Sequence, residues 1–371
     1  MSETMTMIAG GQIYAGWTDI EFGRGMDRCV SNFDISVTEG WPDSPRPILP
    51  FTPLVLKIGN DVVLTGYVDD YNPELTKGGH GVRIAGRSKT MDLVDCSPNV
   101  KGGQYSGFTV AAVARALCGI FGLQAVVETD LANVVVPDAT IEPCESAFEF
   151  LDRLCTVAGV IATDDANGNL VLTTAGSTKS NTVLLQGVNI LSVSATISGA
   201  EQYSEYVVKG QAGLSAGLGA SGGTTPGATA VQTGQVATVT DTSVPRYRPK
   251  VFMAENATGQ APLNVQAQWH CNYAIGKSRR AEVTVPGWRQ NDGTLWAINQ
   301  MVTLTAPYIG ADDDLLAFDV RYRLSRDSGR TTVLTLTPVQ AAQPNPRALR
   351  QKKGRKGRRG SGIDWTGGGG A

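Results

Sequence analysis

Short runs of apolar and β-branched residues, separated by turn residues, make residues 1–97 read as β-strands. Ile13-Tyr14-Ala15-Gly16-Trp17, Cys29 to Thr38, Leu54 to Ile58 and Val62 to Val68 are strand-like runs. Gly59-Asn60-Asp61 separates the last two as a hairpin turn. A longer hairpin turns at Lys77-Gly78-Gly79 and returns through Gly81-Val82-Arg83-Ile84-Ala85-Gly86. The pattern then changes. Val110, Val113, Ala114, Leu117 and Phe121 share one face of a helix, and Ser146-x-x-Glu149 fits a capping box at the start of a second. Phe148, Leu151, Leu154 and Ala158 are the expected buried stripe of that second helix. A hairpin follows, Val160-Ile161-Ala162 to Leu170-Val171-Leu172, turning through Asn167-Gly168-Asn169.

Strand patterns resume at Asn189 to Ile197 and Tyr203 to Gln211, then break over 212–235, a Gly, Ala, Ser and Thr stretch. With so few large apolar groups it cannot offset its ordering entropy by burial, and a loop is expected there. Pro262 and the stripe Val265, Trp269, Tyr273 predict a helix over 262–277. Strands return at Ala281 to Val285, Leu295 to Ala306, Leu315 to Leu324 and Thr331 to Thr337. Residues 54–86 and 302–337 both run strand, turn, strand, long hairpin, strand, with Gly78-Gly79 and Asp327-Ser328-Gly329 at the tips. Two readings stand: a duplicated module, or two meanders that look alike as meanders do.

Composition sharpens this picture. The 44 glycines among 371 residues suit a sheet protein with many tight turns. No apolar run approaches the roughly 18 residues of a membrane span, and the first residues carry no basic segment followed by an apolar one, so no secretory signal is expected. The six cysteines form no CxxC pair, and buried reduced thiols are expected. Net charge is −2, but Arg347, Arg350, Lys352, Lys353, Arg355, Lys356, Arg358 and Arg359 crowd the end; residues 1–346 hold 24 basic and 33 acidic groups, a net of −9. That tail reads either as an arm contacting acidic protein or nearby DNA, or as a plain solvated terminus.

Candidate chemistry finds no foothold. His80 sits in a turn and His270 in a helix, without a metal-ligand spacing between them. Asp312-Asp313-Asp314 reads as a solvated loop rather than a cation site. Asp164-Asp165-Ala166-Asn167-Gly168-Asn169 echoes a calcium loop, but its glycine comes one position early and the distal Glu is absent. No nucleophile-elbow, P-loop or dinucleotide motif is present, and 34 acidic residues single out no carboxylate pair. No cofactor and no metal are expected, and an enzyme is not.

The most specific signal is an ordered set. It comprises Gly66-Tyr67-Val68-Asp69; Ala85-Gly86-Arg87-Ser88-Lys89-Thr90 with Asp92-Leu93-Val94-Asp95-Cys96; Ser204-Glu205-Tyr206-Val207-Val208-Lys209-Gly210; and Arg246-Tyr247-Arg248-Pro249. Val285-x-Gly287-Trp288 and Asp292-Gly293-x-Leu295-Trp296-x-x-Asn299-x-x-Val302 complete it. Over residues 10–340 the set resembles the baseplate hub proteins P of Mu-like phages, related to the tail protein D family of contractile tails. The resemblance implies a homotrimer in which each chain supplies two tube-protein-like β-barrels. Six barrels would form a pseudo-sixfold ring between a sixfold tail tube, or its initiator protein, and a trimeric spike. Other baseplate proteins would be partners, and DNA would pass the lumen without specific binding. The location implied is the virion tail baseplate, assembled in the bacterial host cytoplasm.

The expected fold is therefore β-rich α+β. A first barrel spans 1–97, an α+β domain 98–187, and a second barrel 188–250 with 281–342. A helical insertion lies at 251–280 and a disordered basic, Gly-rich tail at 343–371. The Gly287 to Asn299 segment is expected to fix second-barrel geometry, its tryptophans filling core or interface. Rival readings are a hub that also hydrolyses cell wall, and the equivalent part of a pyocin-like or secretion-system tail.

Overall fold

A computed structural model describes residues 3–38, 48–76, 79–100, 102–136, 139–176, 178–210, 235–254 and 260–344. The expected 212–235 loop (but for its last residue), the hairpin tip at 77–78 and the expected tail 343–371 (but for its first two residues, of which Gln343 accepts from Trp269 Nε1 at 2.9 Å) lie outside the described residues.

The strand-like runs of residues 1–97 form strands. Pro53–Ile58 buries every second residue, and Leu54, Leu56 and Ile58 line one face. This strand, Asp61–Thr76, Gly79–Ser88, Asn32–Thr38 and Asp19–Gly25 lie side by side in that spatial order, all antiparallel. Met5–Ala9 and Gln12–Tyr14 extend the outer edge beyond Pro53–Ile58. The second module repeats the order with Gln300–Ala306, Ala311–Ser325, Gly329–Thr337, Arg279–Pro286 and Ser192–Ile197. In both, the long second strand carries a β-bulge, between Val68 and Asp70 in one and between Ala317 and Asp319 in the other. A shared order with a matching bulge favours the duplication reading over chance likeness.

Strand pairing closes neither module into a ring among the described residues. Instead the far half of Ala311–Ser325 pairs with Asp19–Gly25, and the modules merge into one 14-stranded sheet. The reason is length. Ala311–Ser325 outruns Gln300–Ala306, so half of its edge is left for another partner. One apolar cluster spans both modules, with Phe22, Phe33, Ile35, Leu56 and Ile84 from the first and Val283, Trp288, Val302, Leu304 and Leu334 from the second.

Two boundaries differ from expectation. Thr178–Lys179 and Leu184–Leu185, expected in the α+β domain, pair in parallel with Gln300–Ala306 of the second module. Glu205–Lys209, expected in the second barrel, instead pairs with Val236–Thr240 and Pro249–Met253 in a separate three-stranded sheet. The helix Gln260–Lys277 covers that sheet, so the insertion takes in strands as well as a helix. Alternation identifies a strand but not the sheet it joins. The helix is also turned from the expected face. Leu263, Ala267, Cys271 and Ala274 are buried while Val265 is exposed, because small side chains let the helix approach its neighbours closely. A Cβ added at Gly276 would lie 2.5 Å from the Ala341 nitrogen. Trp269 and Tyr273 stack on one another beside this seam, centroids 4.7 Å apart.

The α+β domain packs Val110–Ile120 and Ala147–Ala158 over the sheet of Ala125–Val127, Leu170–Thr173 and Ile161–Asp164. The Ser146–Glu149 capping box forms reciprocally, as predicted. Phe150 and Cys155, rather than Phe148, complete the buried stripe. Asp312, Asp313 and Asp314 belong to the strand Ala311–Ser325 and not to a loop; Asp314 pairs with Lys179 at 2.7 Å. No helix among the described residues is long and apolar enough to cross a membrane.

Four thiols, Cys29, Cys118, Cys155 and Cys271, are buried, whereas Cys96 and Cys144 are exposed, against the expectation of buried thiols throughout. Burial pushes the Cys118 thiol up to about 12 and raises Cys29, Cys155 and Cys271 in the same direction. A thiol titration of the native protein at neutral pH should therefore report two reactive cysteines, rising to six in denaturant. Six reactive thiols without denaturant would contradict this packing.

Candidate assembly surface and its framework

The Gly66-Tyr67-Val68-Asp69 segment is a site of close strand approach. A Cβ at Gly66 would lie 1.9 Å from the Arg87 carbonyl oxygen, and one at Gly86 would meet the Tyr67 oxygen at 2.2 Å and the Phe33 ring at 2.8 Å. Only glycine fits at either place. Val68 is fully buried. Asp69, at the bulge, holds Arg87 at 2.6 Å, and Arg87 also reaches Asp95 at 2.8 Å. Hydrogen bonds to Asp69, then to Asp95, push the Arg87 guanidinium further above its usual range.

The Gly287 to Asn299 segment connects Arg279–Pro286 to Gln300–Ala306 in the second module. Trp288 is buried, and its Nε1 donates to the Arg323 carbonyl at 3.0 Å. The Tyr322 hydroxyl donates to the Trp296 carbonyl, and burial raises the pKa of that phenol. Asp292 caps its own turn by accepting from Thr294 N at 2.9 Å and Thr294 Oγ1 at 2.6 Å, which lowers the carboxyl's pKa, with a smaller contribution from Asn181. Gly287 and Gly293 both have positive φ, and Leu295 packs against the common core. Arg289 reaches back to the first module, pairing with Glu3 at 2.6 Å and Asp61 at 2.7 Å. The tryptophans thus fill core.

Asn299 has a left-handed backbone, φ 63°, and is buried. Its Oδ1 accepts from Gly176 N at 2.7 Å, and its Nδ2 donates to the Thr174 carbonyl at 2.8 Å and to Thr173 Oγ1 at 3.3 Å. One side chain therefore ties the second module to the last strand of the α+β domain.

The corresponding tie to the first module was not singled out in the sequence. Asp164 lies at the end of Ile161–Asp164, its side chain 1% exposed. It accepts from Ser31 N at 3.1 Å, Ser31 Oγ at 2.8 Å and Arg24 Nε at 3.3 Å. The rest of the supposed calcium loop is a hairpin turn in which Asp165 accepts from Asn167 N and Asn169 N. Arg28 and Asp319 make a similar bridge between modules at 2.7 Å. No sequence pattern links partners so far apart; only an unexplained buried acid next to a strand would hint at it.

Two of the strand edges left without a partner among the described residues lie in the large sheet and carry exposed apolar groups. One is Ser192–Ile197, the last strand of the sheet, with Ile197 72% exposed. The other is the far half of Asp61–Thr76, where Leu75 is 76% exposed. Open edges of this length invite pairing with another chain. Among the described residues no group of three or more His, Cys, Asp or Glu side chains is placed to hold a metal. His270 stacks on Phe252, centroids 3.7 Å apart.

Three family models match successive parts of the chain. Residues 4–88 match the N-terminal domain described as Mu phage baseplate assembly protein GpP-like. Residues 90–174 match the second domain of baseplate hub protein gp44-like. Residues 260–345 match the fourth domain of Mu phage baseplate assembly protein GpP. The chain is 31% identical over 343 residues to baseplate hub protein gp44 of Escherichia phage Mu, covering 91% of this chain and 88% of that one. Among solved structures it is similar to the 43 kDa tail protein of prophage MuSo2 from Shewanella oneidensis, 34% identical with TM-score 0.80, covering 92% and 99% of the two chains. The tail protein of Neisseria meningitidis MC58 shares the fold at 20% identity and TM-score 0.75, covering 93% and 100%.

Replacing Asp164 with Ala should cost about 3 kcal/mol of unfolding free energy, because it leaves Arg24 without its carboxylate and the buried Ser31 hydroxyl without an acceptor. Urea denaturation measures this, and a loss below roughly 0.5 kcal/mol would remove the tie. Asn299→Gly keeps the backbone conformation but loses the three side-chain bonds; it should destabilise by about 2 kcal/mol, and Asn299→Ala by more, since Ala also strains the left-handed φ.

Proposed function

Because the chain belongs to the Mu-type family of baseplate hub proteins, we propose that three copies build a six-module ring joining a sixfold tail tube to a trimeric spike. The observation that carries this is the duplication: one chain holds two modules with the same strand order and the same bulge. A trimer of such chains presents six similar units, which reconciles threefold and sixfold partners without a sixth of a chain left over. The α+β domain and the sheet–helix insertion occur once per chain and keep the threefold character that a spike needs.

The ring encloses a lumen through which DNA passes. The net of −9 over residues 1–346 favours passage over adhesion, since walls of like charge repel phosphate. The role is mechanical, and the chain supplies geometry instead of chemistry. Its place is the virion baseplate, with assembly in the host cytoplasm and contacts to other baseplate proteins.

Light scattering on the purified protein should give three times the chain mass of 39.1 kDa; a monomer that persists at high concentration would overturn the proposal. DNA retention at low salt by protein lacking residues 345–371 should be negligible, and tight binding by that form would refute the repelling lumen.

A further inference from the structure

The joint inside the chain supplies a template for a joint between chains. Resting on the trimeric reading above, we propose that Ser192–Ile197 of one copy pairs antiparallel with the far half of Asp61–Thr76 of the next. The register would set Tyr71 opposite Ile197, Pro73 opposite Ala195 and Leu75 opposite Val193.

The register follows from superposing the modules strand by strand. The bulges make Asp70 equivalent to Asp319, so Tyr71, Pro73 and Leu75 correspond to Val320, Tyr322 and Leu324. On the return strands, Ala85 then corresponds to Thr335 and Ile84 to Leu334. Ile84 pairs with Ile35, which pairs with Ile20; Leu334 pairs with Val283, which pairs with Val193. Val193 therefore stands where Ile20 does, Ala195 where Phe22 does, and Ile197 where Arg24 does. Within the chain Leu324 pairs with Ile20, Tyr322 with Phe22 and Val320 with Arg24. Transferring those pairs gives the three stated above.

Backbone direction agrees, and it is an independent check. Ser198 N donates to the Ser278 carbonyl, so even-numbered residues of 192–198 turn their backbone groups toward Arg279–Pro286. Val193, Ala195 and Ile197 turn theirs to the open edge. On the other side Val68 exchanges hydrogen bonds with Thr52 and Phe51, away from Gly79–Ser88. Beyond the bulge Tyr71, Pro73 and Leu75 face that same outer side, as Val320, Tyr322 and Leu324 do in the template. Both edges thus offer their groups at the residues the register brings together.

Side chains agree too. The template's apolar pair, Leu324 with Ile20, becomes Leu75 with Val193, and Ile197 gains Tyr71 as a neighbour. Leu75 and Ile197, 76% and 72% exposed in the single chain, are large apolar groups that pairing would cover. Pro73 accepts but cannot donate, so this edge forms one bond fewer than the template. The same lack makes it a poor template for indiscriminate pairing.

Cysteine pairs test the register, because positions opposite one another whose backbone groups point away from the joint bring their Cβ atoms closest. Asn72→Cys with Thr196→Cys, and separately Glu74→Cys with Ser194→Cys, should give covalent dimers and trimers on a non-reducing denaturing gel after diamide oxidation. All four positions are exposed in the single chain. The displaced pair Asn72→Cys with Ser194→Cys, and each single variant, should not cross-link beyond the background of Cys96 and Cys144. Trimers by light scattering that cross-link only through the displaced pair, or through none, would overturn the register and leave the trimer standing. A monomeric mass would remove the trimer and this joint together.

Discussion

The long strand Ala311–Ser325 is the constraint on which the rest depends, because one of its edges serves two partners. Its near half is matched by Gln300–Ala306, and its far half, left over by the difference in length, is matched by Asp19–Gly25. Unpaired backbone groups beside a packed core are costly. The sheet therefore runs on from one module to the other, and the two share a core in place of closing separately. Phe22 and Tyr322, stacked across the joint with centroids 5.6 Å apart, add specific packing to the hydrogen-bonded seam.

Around that seam the other units are tied by few but buried polar contacts. Asp164 joins the α+β domain to the first module, and Asn299 joins it to the second. Each satisfies backbone groups that have no strand partner there, so each fixes position as well as adding stability. The insertion docks differently, through small residues on Gln260–Lys277 against 339–342 and its own sheet. The proposed hub would join partners of unlike symmetry, and a body held by short, buried, directional ties suits that task.

Much of this was legible in the sequence, and the limits are physical. Hairpins are local, so strand-like runs and turn residues revealed 54–86 and 302–337 and even their likeness. The capping box at Ser146 and Glu149 is equally local and formed as read. Sheet membership is not local. Tyr203 to Gln211 has a strand pattern whichever sheet it joins, and the separate sheet depends on pairing with Pro249–Met253. The joint between Asp19–Gly25 and Ala311–Ser325 brings together residues some three hundred positions apart, which no periodicity encodes. The helix phase failed at Val265 because aromatic size suggested a buried face where Ala267, Cys271 and Ala274 pack instead. The Gly287 to Asn299 motif was recognised as geometric, but its tie through Asn299 to Thr174 and Gly176 appeared only in three dimensions.

A duplicated module inside a chain makes a claim about shape that mass alone does not reach. Electron-microscope averages of the purified protein, viewed down the axis, test it most directly. The account requires a closed ring of six similar lobes around a central opening. Three lobes with no opening, or elongated particles without a ring, would contradict it.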